Sequence, residues 1–160
     1  MLGLFKPDHM LESVQIKHFS EVSLREFHDL IALRIEVFVI EQNCPYQDLD
    51  GKDIKAYHLI GRNGKGDLVA TLRILPAGVS YPEVSIGRVV THQKTRGTGI
   101  GHEIMNHAHN FILEEFGQVD VRLSAQSHLT DFYKKHGYQE TGKNYLEDGI
   151  PHSEMLKNKL

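Results

Sequence analysis

The sequence predicts a mixed α/β fold in which helices flank a central β-sheet. Strand-like segments, in which apolar residues alternate with polar ones or run together, recur along the chain. Two longer segments show the helical spacing of apolar residues, and a glycine-rich loop joins one strand directly to a helix. We therefore expect the order β-α-β-β-β-α-β-α-β-β in a single domain over residues 1–160, with its core at about 14–157.

In the first half of the chain, alternating polar and apolar residues predict a strand at 14–19. Ser23 and Glu26 have the spacing of a capping box, in which each side chain bonds the backbone amide of the other at the start of a helix. That helix is expected over about 24–40, with one apolar face. The face consists of Phe27, Leu30, Ile31, Ile35 and Phe38. A polar loop follows it, and then a hairpin with strands at 56–61 and 68–75.

In the second half, a strand is predicted to end at residue 91, and a helix is predicted from the glycine-rich loop to Gly117. Residues spaced for one face of this helix are Ile100, Ile104, Ala108, Phe111 and Ile112. A further strand at 119–124 leads to a short helix that contains Phe132 and Tyr133. The last two strands are expected at 138–141 and 153–157.

Composition limits the classes of function. With 40% hydrophobic residues, the chain can bury a core, and its net charge of −3 does not favour a nucleic-acid partner. No apolar run approaches the ~20 residues of a membrane span, so no membrane partner is expected. Residues 1–8 are too few and too polar for a signal peptide, and the single cysteine, Cys44, fits a reducing compartment. We expect a cytoplasmic protein.

The eleven histidines do not have the spacing of metal ligands. His102 and Glu103 begin a zinc-protease helix motif, but Asn106 stands where its second histidine would be. His107 and His109 are two residues apart, so they point away from each other on a helix. We expect no metal site.

The loop Arg96-Gly97-Thr98-Gly99-Ile100-Gly101 is the strongest functional signal in the chain. Glycines leave backbone N–H groups uncovered, so that these groups can approach a ligand closely. The start of the following helix adds unpaired amides and the positive end of its dipole, and the arginine adds a full charge. This arrangement predicts a site for a pyrophosphate. It matches neither the dinucleotide-binding pattern, whose last glycine is replaced by His102, nor the P-loop.

The loop resembles the pattern Gln/Arg-x-x-Gly-x-Gly/Ala of the GNAT superfamily of acyl-CoA-dependent N-acetyltransferases. Residues 123–126, followed by Phe-Tyr-Lys-Lys-His-Gly-Tyr at 132–138, resemble the fifth strand and the next helix of that family. Residues 34–53 and 58–59, together with 87–90 and 149–152, are similar to its ElaA branch. The resemblance implies a sheet that splays between its fourth and fifth strands, with acyl-CoA in the split.

The resemblance also implies the reaction, which is direct transfer of an acetyl group from acetyl-CoA to a primary amine of a small molecule or peptide. The residues that it implies for contact with CoA are Val89, Val90, Thr91, Arg96, Gly97, Thr98, Gly99, Ile100, Gly101, Gln126 and Tyr133. Tyr133 matches the tyrosine that donates a proton to the CoA sulfur in many relatives. Acetyl-CoA is thus the expected cosubstrate.

The general base that accepts the proton of the ammonium group is left open among four residues. These are Glu41, His58, Glu83 and His92. Glu41 follows the first helix, in the region that covers the acceptor pocket of related proteins. His58 lies next to an apolar strand, and the ordinary pKa of histidine, ~6.5, suits the task. Glu41 and His58 are the two predicted catalytic residues besides Tyr133.

Charged residues in and near the strands suggest how the acceptor is selected. Asp48, Asp50 and Asp53 lack the spacing of a calcium loop and are predicted to form an acidic rim that favours a cationic amine. Arg73 and Arg88 lie in otherwise apolar strands, where an unpaired charge is costly. We expect one of them to pair with an acidic side chain, and we leave open whether the other binds an anionic group of the substrate.

Two alternative functions remain open. Acyl-homoserine-lactone synthases share the fold and an early Arg…Val-Phe pattern, but the intact loop from Arg96 to Gly101 favours CoA over an acyl carrier protein. A non-catalytic acyl-CoA-binding or regulatory module is the other alternative, and the presence of Tyr133 argues against it. The sequence allows a homodimer and does not identify the acceptor amine.

Overall fold

The computed structural model describes residues 10–160, so residues 1–8, for which no signal peptide was predicted, lie outside the described residues. Within the described part, seven strands form one sheet. They are β1 (Leu11–His18), β2 (Tyr57–Asn63), β3 (Leu68–Leu75), β4 (Val84–Thr91), β5 (Val121–Gln126), β6 (Gln139–Glu147) and β7 (Ile150–Lys157). The helices are α1 (Leu24–Arg34), α2 (Ile100–Phe116) and α3 (Thr130–Lys134). The predicted order of elements is confirmed.

The sheet has the strand order β1-β2-β3-β4-β5-β7-β6. Neighbouring strands are antiparallel except β4 and β5, which are parallel. These two strands pair only at their first residues, Val84 with Val121 and Ser85 with Arg122, and then diverge. The predicted mixed sheet and its splay between the fourth and fifth strands are thus confirmed, and the splay opens a cleft at the carboxyl ends of these strands.

The core lies between α2 and the sheet. Ile104, Met105, Ala108 and Ile112 of α2 are fully buried with apolar residues of the strands. Side chains of a strand alternate between its faces. Leu72 and Ile74 of β3 therefore join this core, while Arg73 between them turns to the other face, where it meets residues bound to α1. No helix in residues 10–160 is long and apolar enough to cross a bilayer.

The start of α1 has the predicted capping box. The Glu26 amide donates to Ser23 Oγ at 3.1 Å, and the Ser23 amide donates to Glu26 Oε2 at 2.9 Å. The prediction of one helix over about 24–40 is wrong in one respect. The α-helix ends at Arg34, and the chain then forms a π-helical turn over Ile35–Glu41. The wider turn, with bonds such as Gln42 N–H to Val37 O at 3.2 Å, changes which residues face inwards. Ile35, predicted on the apolar face, is 40% exposed.

The carboxyl-terminal hairpin is longer than predicted. β6 extends to Glu147 and β7 begins at Ile150, so the two strands form a long hairpin beside β5. The turn needs only Asp148 and Gly149, and Pro151 lies at the start of its strand. The hairpin consequently places the residues near its turn at the edge of the cleft.

His109 on α2 makes the stability of the fold depend on pH. Its Nε2 lies 2.8 Å from the Tyr138 hydroxyl oxygen, and burial, with the charges of Lys157 and His136, lowers the pKa of His109 from 6.5 to about 4. The unfolded chain therefore takes up a proton more readily than the folded one between these two values, so that stability falls as pH falls from about 6.5 to about 4. Urea unfolding at pH 7 and pH 5 measures this loss.

His109→Gln should show a smaller loss of stability between pH 7 and pH 5 than the unchanged protein. His107→Gln, an exposed position on the same helix, is the matched control and should lose as much as the unchanged protein. Equal losses in all three proteins would show that His109 does not carry this pH dependence.

Candidate active site

The cleft between β4 and β5 has a volume of about 780 Å³, which is within the usual range for sites that bind small molecules or cofactors. Its walls are β4, the end of β5, α3, the π-helical turn and the turn of the β6–β7 hairpin. Of the predicted site residues, those that line it are Glu41, Val89, Val90, Thr91, Arg96, Gly101, Gln126 and Tyr133. Most of the predicted set is thus brought together in one place.

β4 is irregular where it borders the cleft. Its pairing with β3 shifts between Arg73–Gly87 and Thr71–Val90, which leaves an extra residue in β4. Arg88 in this bulge has φ of 52°, an unusual value for a residue with a side chain. In the described part of the chain, no strand pairs with the β5-facing edge of β4 beyond Ser85. Backbone groups on this edge can therefore bond an extended ligand.

The glycine-rich loop connects β4 to α2. Gly97 and Gly99 have φ of 78° and 86°, and a Cβ at either position would meet no atom within 4 Å. Thr98 donates its hydroxyl hydrogen bond to the Thr95 carbonyl, which fixes the loop. Ile100 is buried, so its side chain belongs to the core and only its amide belongs to the loop surface. The open space over the loop, at the first turn of α2, fits an anion.

Glu41, one of the predicted bases, is bound to Arg96. Its two carboxylate oxygens each accept a hydrogen bond of 2.6 Å from the Arg96 guanidinium, which ties the π-helical turn to the glycine-rich loop. This hydrogen bonding, with the positive charge of Arg96, lowers the pKa of Glu41 below its ordinary value. A carboxylate held in this way is a weak proton acceptor, so its position favours a role in holding Arg96.

The other candidate bases do not line the cleft. His58 is 1% exposed, and its Nε2 donates to the Asp53 carbonyl at 2.9 Å. Glu83 accepts two hydrogen bonds from the Arg122 guanidinium. His92 accepts from the Lys94 amide through Nδ1. A base must reach the substrate, and the prediction of His58 fails on this point because the pleat of β2 turns its side chain into the interior.

Gln126 and Tyr133 face the cleft from the β5 side. The Gln126 amide nitrogen donates to Gln42 Oε1 at 3.2 Å, so the two side chains bridge the opening between β5 and the π-helical turn. Within residues 10–160 the Tyr133 hydroxyl has no hydrogen-bond partner, although the residue is only 7% exposed. Burial raises the pKa of Tyr133 above its ordinary value of 10.0, so the hydroxyl keeps its proton at neutral pH.

The predicted acidic rim is not observed. Three arginines and three aspartates instead form one ion network at the wall of the cleft, in which every carboxylate is paired. The pairs are Arg34 with Asp48 and Asp53, Arg73 with Asp50 and Asp53, and Arg88 with Asp48 and Asp50. Both strand arginines are therefore paired with acidic side chains, and the network as a whole carries no net charge.

Sequence reasoning missed several residues of the cleft. Gln42 comes from the end of the π-helical turn, and Glu147 and His152 come from the two sides of the β6–β7 turn. One signal was available for His152, because residues 149–152 belong to the stretches that resemble the ElaA branch. Nothing in the spacing indicated that this stretch would reach the cleft.

Comparison with known proteins agrees with this geometry. Residues 16–159 match the acetyltransferase (GNAT) domain family. A UPF0039 protein of Synechocystis is 41% identical over 140 residues, which covers 88% of this chain and 91% of that protein. The crystal structure of Escherichia coli ElaA matches with a TM-score of 0.86 and 37% identity over 93% of this chain and 100% of that one.

An acyl-CoA N-acyltransferase from Pseudomonas aeruginosa, known from its crystal structure, matches with a TM-score of 0.85 and 39% identity. The match covers 91% of this chain and 99% of that one. The resemblance to the ElaA branch is confirmed by these relatives. The cleft between the diverging strands β4 and β5 and the glycine-rich loop at the start of α2 agree with these matches, which cover nearly the whole chain. The chain therefore belongs to the GNAT acetyltransferase family.

Proposed function

We propose that the protein transfers an acetyl group from acetyl-CoA directly to a primary amine of a small molecule or peptide. The observation that carries the proposal is the continuity of the cleft with the glycine-rich loop, because the cleft runs along the unpaired edge of β4 and reaches Arg96 and Gly101. This continuity provides room for a long cosubstrate with a pyrophosphate at one end and a thioester at the other.

The described residues fit CoA in three places. The uncovered loop amides from Gly97 to Gly101 and the N-terminus of α2 would bind the pyrophosphate. Backbone groups of Val89, Val90 and Thr91 on the unpaired edge of β4 would bond the pantetheine arm, and the Gln126 amide would bond it from the other side. In this proposal Glu41 serves as the partner of Arg96 at the rim of the phosphate site.

Tyr133 would act as the general acid. Its hydroxyl is protonated, faces the cleft and has no partner in residues 10–160, so it can donate a hydrogen bond to the sulfur of the departing thiol. Negative charge develops on that sulfur as the carbon–sulfur bond breaks, and a nearby O–H donor stabilises it. A backbone amide of the β4 bulge would polarise the thioester carbonyl in the same way.

The test is calorimetric titration with acetyl-CoA, followed by a thiol-release assay with phenylethylamine, spermidine, L-lysine and an unblocked peptide. Binding with thiol release on one of these acceptors would support the proposal and indicate the acceptor class. Binding without release on any of them would favour the regulatory module. If acetyl-CoA does not bind, the assignment of the glycine-rich loop is wrong.

Replacing Tyr133 with phenylalanine should lower kcat by about 100-fold or more, because the variant lacks the O–H donor. The affinity for acetyl-CoA should not change, since the aromatic ring still fills its place. Steady-state kinetics and calorimetry measure the two quantities. Tyr138→Phe is a matched control, because Tyr138 is a buried tyrosine near α3 whose hydroxyl contacts His109 and not the cleft. Equal kcat in both variants would rule out the role of Tyr133.

A further inference from the structure

The β6–β7 hairpin brings a histidine and a glutamate to the cleft. His152 of β7 lies opposite Gln126 of β5 and Tyr145 of β6 in the sheet, at the level where β4 and β5 have already separated. The residue is 9% exposed, and it lines the cleft. The Glu147 side chain, at the end of β6, is about half exposed and also lines the cleft. Both groups therefore face the space beside the unpaired edge of β4.

Hydrogen bonding fixes which nitrogen of His152 can accept a proton. Nδ1 lies 2.7 Å from the Ile150 carbonyl oxygen. A carbonyl oxygen can only accept a hydrogen bond, so Nδ1 carries the hydrogen and the lone pair of the neutral ring is on Nε2. Nε2 in turn lies 3.3 Å from Glu147 Oε2. A proton that arrives at Nε2 would therefore form an ion pair with a carboxylate already in place.

Neighbouring groups also fix the plane of the ring. The Tyr145 ring is parallel to the His152 ring within 12°, with 6.1 Å between centroids, and the Tyr145 hydroxyl bonds Ser124 of β5. Tyr145 and Glu147 of β6 are ionisable side chains that face His152, and Tyr81 from the loop before β4 interacts with both of them. Glu154, further along β7, is bound to Arg122. The Ile150 carbonyl thus orients the ring through Nδ1, as a third group orients the base in catalytic triads, and the Glu147 carboxylate lies beside Nε2, where the proton arrives.

Three other ionisable side chains of the cleft, Glu41, Asp50 and His128, are less suited to accept a proton from a substrate. Glu41 is bound to Arg96, and Asp50 is bound to Arg73. His128 also lines the cleft, but it is exposed and has no hydrogen bond within residues 10–160 that would orient its ring. His152 thus combines access to the cleft, a defined orientation and a nitrogen with a lone pair.

We propose that His152 is the general base of the transferase, and that Glu147 is a positioning residue that draws the cationic acceptor to His152 Nε2. The inference rests on the function proposed above. His152 Nε2 takes one proton from the ammonium group of the acceptor. The amine nitrogen, now neutral, then attacks the thioester carbon. The carbon–nitrogen bond forms and the carbon–sulfur bond breaks. Tyr133 gives its hydroxyl proton to the sulfur, and the amine nitrogen gives a second proton back to Tyr133. The proton on His152 passes to solvent.

The first test uses the complete chain with acetyl-CoA and long-range ¹H–¹⁵N NMR spectra of its histidines, with His152→Asn to assign the signal. At a pH at which the ring is neutral, the spectra should show hydrogen on Nδ1 and none on Nε2. Hydrogen on Nε2 would overturn the proposal, because that nitrogen could not accept a proton. This measurement does not depend on knowing the acceptor.

The second test compares kinetics of His152→Asn, using the amine of the panel with the highest turnover. Asparagine keeps a donor for the Ile150 carbonyl but has no group that titrates, so kcat/KM at pH 7 should fall by about 100-fold or more, with unchanged affinity for acetyl-CoA. The deficit should shrink towards pH 10, where roughly 30% of an amine with a pKa of ~10.4 is already neutral without a base. His107→Asn, at an exposed position outside the cleft, should behave as the unchanged protein.

Two results would contradict the role of His152. One is full kcat/KM of His152→Asn at pH 7, and the other is a deficit of the same size at every pH, which would indicate a structural role. Glu147→Gln should raise KM for a cationic amine more than it lowers kcat. A larger effect on kcat than on KM would show that Glu147 does not have the proposed role. If the unchanged protein does not bind acetyl-CoA, the proposed function itself fails, which is distinguishable from all of these results.

Discussion

Gly99→Asp is expected to abolish measurable binding of acetyl-CoA. Gly99 precedes α2 with φ of 86°, in the left-handed region, and its amide lies among the uncovered N–H groups of the loop. An aspartate there adds backbone strain, a side chain over the loop and a negative charge next to the pyrophosphate. Loss of two charge-assisted hydrogen bonds alone costs about 3 kcal/mol or more, which corresponds to a Kd weakened at least about 100-fold. Calorimetric titration measures the change.

Gly78→Asp is the matched control for this variant. Gly78 lies in the loop between β3 and β4 with φ of 87°, is exposed and, like Gly99, has no atom within 4 Å of a built Cβ. It therefore experiences similar strain and gains the same charge without contact with the cleft. Gly99→Asn, which removes the charge but keeps the size, should weaken binding less than Gly99→Asp. Unchanged affinity of Gly99→Asp would show that the loop does not bind the pyrophosphate.

The second large effect is expected on stability. Arg34 is 1% exposed and donates to Asp48 at 2.9 Å and to Asp53 at 2.8 Å. Arg34→Met keeps the length of the side chain but leaves two buried carboxylates with fewer partners. Breaking a buried ion pair from one side costs about 3–5 kcal/mol, and we expect about 3 kcal/mol here because Arg73 and Arg88 still contact these carboxylates. Urea unfolding gives the free energy of unfolding.

Arg25→Met serves as the control on the same helix. The Arg25 side chain is 85% exposed, and its ion pair with Asp29 at 3.3 Å lies on the surface. Pairs of this kind contribute about 0.3–0.5 kcal/mol, so the control should differ from the unchanged protein by less than 1 kcal/mol. Similar values for the two variants would mean that the ion network does not hold α1 against the sheet.

The same network also predicts behaviour in acid. Burial opposes the charge of Asp53, but hydrogen bonds and charges from Arg34 and Arg73 outweigh it and lower the pKa of Asp53 below its ordinary value of 3.8. A carboxylate with a lowered pKa stabilises the fold fully above its unfolded value and loses that contribution as pH falls through its folded value. The contribution of Asp53 is therefore kept from pH 7 down to about pH 4, which separates it from the effect of His109 in that range.

The sequence alone determined the features whose causes are local. The capping box of Ser23 and Glu26 needs only a spacing of three residues, and the strand, glycine-rich loop and helix that lead from β4 into α2 are consecutive in the chain. Hydrophobic periodicity gave the order of strands and helices because backbone geometry repeats over a few residues. These features were sufficient for the family, and they carry the proposed place of the phosphate site.

Only the tertiary structure decided which charged groups are available for chemistry. Glu41 and Arg96 are 55 residues apart in the chain, and Arg88 and Asp48 are 40 apart, so no local pattern indicates that these side chains pair. His58 and His152 are equally ordinary in sequence. The pleat of β2 buries His58, which bonds the Asp53 carbonyl. The hairpin instead places His152 at the cleft, where Nδ1 bonds the Ile150 carbonyl and Nε2 does not. Protonation depends on burial and on partners brought together from distant positions, and these exist only in the folded chain.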